Sequence, residues 1–179
     1  MSFSSFGLPE KLLHGIYAAG YSTPTEIQQK SIPSALEGKD ILGCAPTGTG
    51  KTAAFMLPIL THLINNPQQT RPGYPRVLIL APTRELAQQV ADFVRLYASS
   101  TRITSTAIYG GVSYNNQIRD LKSGVDIVVA TPGRLLDHME QHAINLSKVE
   151  ILVLDEADRM YDMGFIKDVR AIASRVSKS

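Results

Sequence analysis

The chain has 179 residues carrying 18 Lys+Arg against 16 Asp+Glu, a formal charge of +2, with 44% hydrophobic, 19% charged and 7% aromatic residues. That mixture is close to the globular average, and the length suits one α/β domain, which excludes a disordered chain, a collagen-like repeat and a coiled coil. The single cysteine, Cys44, excludes an internal disulfide framework and a Cys-rich zinc site.

The opening residues 1–6 lack the cationic and apolar regions of a signal peptide, and no uncharged apolar run approaches a membrane span. The expectation is a soluble cytoplasmic protein with no membrane partner. Residues 8–19 read as a helix stopped by Gly20, and 25–36 as a second ended by Gly38, so 1–38 form a helical preamble to a main body at 39–179. Short aliphatic runs follow at 40–44, 77–81, 104–109, 126–130 and 151–154, each ending at a turn signal and followed by a helical pattern. In 83–98, for example, Leu86, Val90, Phe93, Val94 and Tyr97 share one helical face. Residues 65–76, with prolines at 67, 72 and 75, read as an exposed loop. Near-continuous apolar strands alternating with amphipathic helices predict a parallel sheet covered on both faces, in one structural domain without a linker. Ligands of such sheets bind beyond the carboxyl ends of the strands. Cys44, ending the first run, is expected in the core.

After the run 40–44 comes Ala45-Pro46-Thr47-Gly48-Thr49-Gly50-Lys51-Thr52 and a helix over 53–64, in which Pro58 should introduce a kink. This is the phosphate-loop pattern with Ala45 in place of the first glycine. Gly48 and Gly50 can adopt backbone angles that turn several N–H groups toward one anion, and the helix adds its positive N-terminal dipole. Lys51 suits the β- and γ-phosphates, and the Thr52 hydroxyl suits Mg²⁺. Later, the aliphatic run 149–154 delivers Asp155 and Glu156 at its carboxyl end. Asp155 would hold Mg²⁺ through its waters, and Glu156 would orient or deprotonate an attacking water. The implied chemistry is phosphoanhydride hydrolysis. No Asn-Lys-x-Asp follows, which favours ATP over GTP.

Asp155-Glu156-Ala157-Asp158 resembles the signature of the DEAD-box RNA helicases, and other motifs of that family follow in order. Residues 20–28, ending in Gln28, resemble the adenine-reading Q motif, with Phe3 as its upstream aromatic. Residues 45–52 resemble motif I, Pro82-Thr83-Arg84-Glu85-Leu86-Ala87 motif Ia, Gly110-Gly111 the GG motif, and Thr131-Pro132-Gly133-Arg134 motif Ib. The overall style resembles bacterial members of the RhlE type. The resemblance implies a RecA-like first helicase domain that binds ATP or ADP with Mg²⁺. Nucleotide contacts would come from Phe3, Tyr21, Thr23, Gln28, Pro46, Thr47, Gly48, Thr49, Gly50, Lys51 and Thr52. Lys51, Asp155 and Glu156 would act in catalysis, with Thr52 and Asp155 at the metal.

For RNA, the resemblance implies backbone contacts from Pro82, Thr83, Arg84, Gly110, Gly111, Thr131, Pro132, Gly133 and Arg134. The residues themselves fit that role. Thr131 reads as a helix cap with Pro132 at the first helical position, leaving N–H groups of that turn free beside Arg134. A helix start plus an arginine binds phosphate without regard to base, so readout would be of shape and 2′-hydroxyls. Ordinary capping explains each site singly; three at one sheet edge favour a bound strand. Arg102, Arg119 and Lys122 read as solvated charges.

Glu85 would help hold the RNA motifs together, and Asp158 would couple the acidic motif to a later Ser-Ala-Thr segment and a second RecA-like domain. The sequence stops at Ser179, before such a segment. The expectation is therefore a monomeric domain that binds nucleotide with little hydrolysis or unwinding of its own. A non-helicase P-loop ATPase and a nucleotide-gated binding module remain open alternatives.

Overall fold

The computed structural model describes residues 1–176. Four short strands are built from the aliphatic runs: β1 (Val77–Leu80), β2 (Ser105–Ile108), β3 (Ile127–Ala130) and β4 (Ile151–Leu154). All pairings are parallel, in the order β2-β3-β1-β4. Helices intervene, as parallel connections require: α1 (Glu10–Ala18), α2 (Glu26–Leu36), α3 (Lys51–Asn65), α4 (Arg84–Ala98), α5 (Tyr114–Ser123), α6 (Pro132–Glu140), α7 (Ala157–Asp162) and α8 (Ile166–Ala173). This is the parallel α/β sheet of a RecA-like domain.

The chain divides into two compact units, residues 1–68 with 93–103, and 69–92 with 104–179. The second holds the whole sheet. Successive strand residues point to opposite faces, and every residue of β1 and β3 is 0% exposed, so both faces of these central strands are covered. On the face carrying Leu78, Leu80, Val128 and Ala130, the core is completed by Leu121 of α5, Leu135 of α6, Met160 of α7, and Val169 and Ile172 of α8. At the amino end, buried Arg76 pairs with Glu150 (Nε to Oε2, 2.6 Å) and ties the entries of β1 and β4 together. The loop ahead of β1 is thus anchored at its last residue.

In the first unit a short 3-10 turn (Phe3–Phe6) leads to α1, with Phe3 and Phe6 meeting edge to face at 6.1 Å. Helices α2 and α3 pack closely. Pro58 lies within α3, which runs unbroken from Lys51 to Asn65.

One predicted strand does not form. Residues 40–44 carry no strand pairing, and Leu42 is fully exposed. Cys44 is likewise exposed, not in the core. A strand is held only by a neighbour that satisfies its N–H and C=O groups. Residues 40–44 pair with none of the described strands, so aliphatic composition alone does not make this run one. β4, at the sheet's outer edge, pairs only with β1, and its residues are half-buried or exposed.

Candidate functional site

The phosphate loop belongs to the first unit. Gly48 and Gly50 adopt φ of 83° and 82°, the left-handed region, and α3 starts directly afterwards at Lys51. At Gly48 a Cβ would meet nothing, so backbone angle alone requires glycine there. At Gly50 a Cβ would collide with the side-chain amide nitrogen of Gln28, so close approach requires it as well. Gln28 is 1% exposed and bonded at both ends: Oε1 accepts from the Thr25 N–H (2.9 Å), and Nε2 donates to the Gly50 carbonyl (3.1 Å). The first bond is the reach-back half of a capping box at the start of α2. The second fastens α2 to the phosphate loop. Thr49 closes the loop by donating to the Pro46 carbonyl (2.5 Å).

Two left-handed glycines ahead of a 15-residue helix, with half-buried Lys51 and Thr52 in its first turn, form a cradle suited to phosphate. Around it, Tyr21 is 46% exposed and Thr23 exposed, whereas Phe3 is buried; Phe3, Ile16, Tyr21, Leu57, Phe93 and Tyr97 line one small apolar space. The Tyr97 hydroxyl is buried without a hydrogen-bond partner; burial first, and Tyr21 second, push its pKa up to about 12.

The second unit carries the acidic motif and the remaining predicted residues. The Asp155 N–H donates to the Leu80 carbonyl (2.9 Å), extending the β1–β4 ladder by one rung. Glu156 then takes φ 53° and ψ 52°, a left-handed conformation that costs a non-glycine residue about 1 kcal/mol or more. Its Oε2 lies 3.4 Å from Arg159 Nη1, and Asp158 is exposed on the first turn of α7. Strain held at a carboxylate beyond a strand end is the kind that marks functional sites.

Strand register levels the four carboxyl ends: Leu80 pairs with both Ala130 and Leu154, and Ile108 with Ala130. Residues 109–111, 131–134, 82–84 and 155–156 therefore leave the same sheet edge, spread over about 14 Å at the usual strand spacing. Side chains join three of these exits. The Arg84 guanidinium lies over the Tyr109 ring at 5.1 Å, and its Nη1 is so near Gly111 (φ 83°) that a Cβ there would stand 3.1 Å away. Tyr109 donates through its hydroxyl to Gln88 Oε1. Arg134 Nη1 donates to the Val112 carbonyl and to Gln117 Oε1, both 3.2 Å. Gly110, Gly111 and Gly133 are exposed, Thr83, Thr131 and Arg134 half-buried, and Pro82 and Pro132 buried beneath them.

The two threonine caps differ. Thr83 accepts the Leu86 N–H (3.2 Å), which occupies one donor of its helix start. Thr131 occupies the N-cap position with Pro132 first in α6, but its hydroxyl makes no capping bond. Its expected cap is thus one of backbone only, and the first-turn N–H groups of α6 are left to other acceptors. Tyr109, Gln117 and His138 were not legible as site residues. For Gln117 and His138 the signal is spacing alone: Arg134 and His138 are four apart on α6, and Tyr114 and Gln117 three apart on α5.

Residues 25–179 match the family model described as DEAD/DEAH box helicase. The chain is 47% identical to DEAD-box ATP-dependent RNA helicase 20 of Arabidopsis thaliana over 98% of this chain and 35% of that protein. It is 50% identical to ATP-dependent RNA helicase SrmB of Escherichia coli over 96% of this chain and 38% of that protein. With ATP-dependent RNA helicase DDX42 of Xenopus laevis it shares 47% identity over 98% of this chain but 18% of the relative. The chain thus spans well under half the length of each of these relatives. It belongs to the DEAD/DEAH box helicase family.

Proposed function

We propose that this chain is the nucleotide-binding domain of an ATP-dependent RNA helicase and carries part of the RNA-backbone clamp. The observation that carries the reading is the level carboxyl edge, where Arg84, the Gly110–Gly111 turn and Arg134 are cross-linked beside the Asp155–Glu156 strand end. Phosphates of ATP or ADP would lie on the N–H groups of residues 47–52, with Lys51 supplying charge. Thr52 in the first unit and Asp155 in the second are each suited to Mg²⁺, whose contribution when bound would be to neutralise charge on the phosphoryl oxygens. Glu156 would orient water for attack.

Adenine reading by Gln28 would use the amide hydrogen and lone pair that Thr25 and Gly50 leave over. Tyr21, being exposed, is the ring available to a base, and Phe3 supports it from the core. Along the RNA edge, phosphate binding would be independent of base identity. Hydrolysis and duplex separation are proposed for the longer protein of the kind the relatives represent, with Asp158 facing a second RecA-like domain. No described helix is long and apolar enough to cross a membrane.

Calorimetric titration tests the nucleotide half. Mg-ATP and ADP should bind, GTP should bind at least tenfold more weakly, and Gln28→Ala should narrow that preference. Equal affinity for GTP in the unaltered chain would remove the adenine assignment.

A further inference from the structure

Beneath the proposed RNA edge lie two buried polar residues that none of the motifs contains, Gln117 and His138. Gln117 of α5 is 4% exposed and uses both ends of its amide. Its Nε2 donates to the Tyr109 carbonyl at 2.9 Å, one residue before Gly110. Its Oε1 accepts from Arg134 Nη1 at 3.2 Å and faces His138 Nε2 at 2.9 Å. Arginine can only donate and a carbonyl can only accept, so the amide has one possible orientation. That orientation makes His138 Nε2 the donor and leaves Nδ1 bare. Nδ1 is indeed buried without a partner. The His138 ring is stacked on Tyr114 at 4.2 Å, and Arg134 sits over the other aromatic of this stack, Tyr114, at 5.6 Å.

Arg134 therefore spends Nη1 on Val112 and Gln117, while its other N–H groups have no hydrogen-bond partner among the described residues. A guanidinium is a planar fork, so fixing one nitrogen aims the rest. The same amide that aims it also holds the carbonyl at the root of the Gly110–Gly111 turn. We propose that Gln117 is a positioning residue for RNA-backbone binding, locking Arg134 and the glycine turn into one phosphate-binding unit. It touches no nucleic acid itself. The inference rests on the reading of Arg134 as an RNA contact.

The test is fluorescence anisotropy of a fluorescein-labelled oligouridine strand with the full chain, between 50 and 200 mM salt. Gln117→Met keeps length and helix propensity but removes both polar atoms. It should weaken binding by about tenfold, and should lower the slope of log affinity against log salt by about 0.7, the loss of one single-strand phosphate contact. A neutral-for-neutral change has no direct charge effect, so a merely structural role would leave that slope unmoved. Arg134→Ala should show the same two losses, and the double variant should be no weaker than Arg134→Ala alone. An unchanged slope, or multiplicative losses in the double variant, would overturn the positioning role. Unchanged binding in Arg134→Ala would instead overturn the RNA reading of that arginine, and the proposal with it. Should Gln117→Met melt early, Gln117→Asn gives the same readouts: it retains an amide in the buried site but falls one methylene short of Arg134.

Discussion

The phosphate loop and the sheet edge proposed for RNA would solve the same chemical problem, presenting donors to phosphate, by opposite structural means. The loop at residues 45–50 follows an unpaired, exposed run, and its shape depends on two left-handed glycines, the Thr49–Pro46 bond within it and one side-chain tether to α2, Gln28 to Gly50. The RNA edge stands on four strands in fixed register, and its turns are joined by bonds through Arg84, Tyr109, Gln117 and Arg134. The loop is therefore a region that a ligand would finish organising, and the edge one that is organised beforehand. Ordering a segment on binding costs affinity that a preformed site keeps.

The sharpest way to break this contrast is at the tether. Gly50→Ala adds a Cβ against the Gln28 amide at a φ of 82°, and should cost about 2 kcal/mol of stability while lowering ATP affinity by more than 100-fold. Urea unfolding and calorimetry measure the two effects separately. Lys51→Ala should lower ATP affinity by about 100-fold, about 2.7 kcal/mol, but leave the unfolding midpoint unmoved, because Lys51 forms no tether. A paired comparison probes the edge. Gly111→Ala meets Arg84 and a left-handed φ, and should cost about 1 kcal/mol and several-fold in RNA affinity. Gly110→Ala meets nothing within 4 Å and should stay within about 0.5 kcal/mol of the parent chain.

The smallest effect is expected with pH. Burial, then Arg134, hold the His138 pKa below its ordinary 6.5, against a smaller opposing pull from Asp137. The unfolded chain takes up this proton first as pH falls below about 6.5, so His138 should make stability decline there and level off once the folded ring protonates. His138→Phe should flatten that stretch of the stability-pH curve.

Much of the sheet edge was legible in the sequence, because motifs Ia, GG and Ib and the acidic motif fall where parallel strands end and register then aligns them. The runs at 77–81, 126–130 and 151–154 became β1, β3 and β4 to within a residue. The run at 40–44 did not, since composition describes a strand's faces but not its hydrogen-bonding neighbour, and Leu42 and Cys44 ended in solvent. Gln28 was expected at the nucleotide, yet its bond to Gly50 joins positions 22 apart and depends on how α2 meets α3. Gln117 and His138 were not visible. A polar residue in a helix reads as solvated until the packing of a second helix buries it.

Amide hydrogen exchange with and without a saturating oligouridine strand tests the central claim most directly. The account predicts joint protection at 83–84, 110–112 and 131–134, the exits of β1, β2 and β3. Protection confined to the exposed charges Arg102, Arg119 and Lys122, with those exits unchanged, would contradict it.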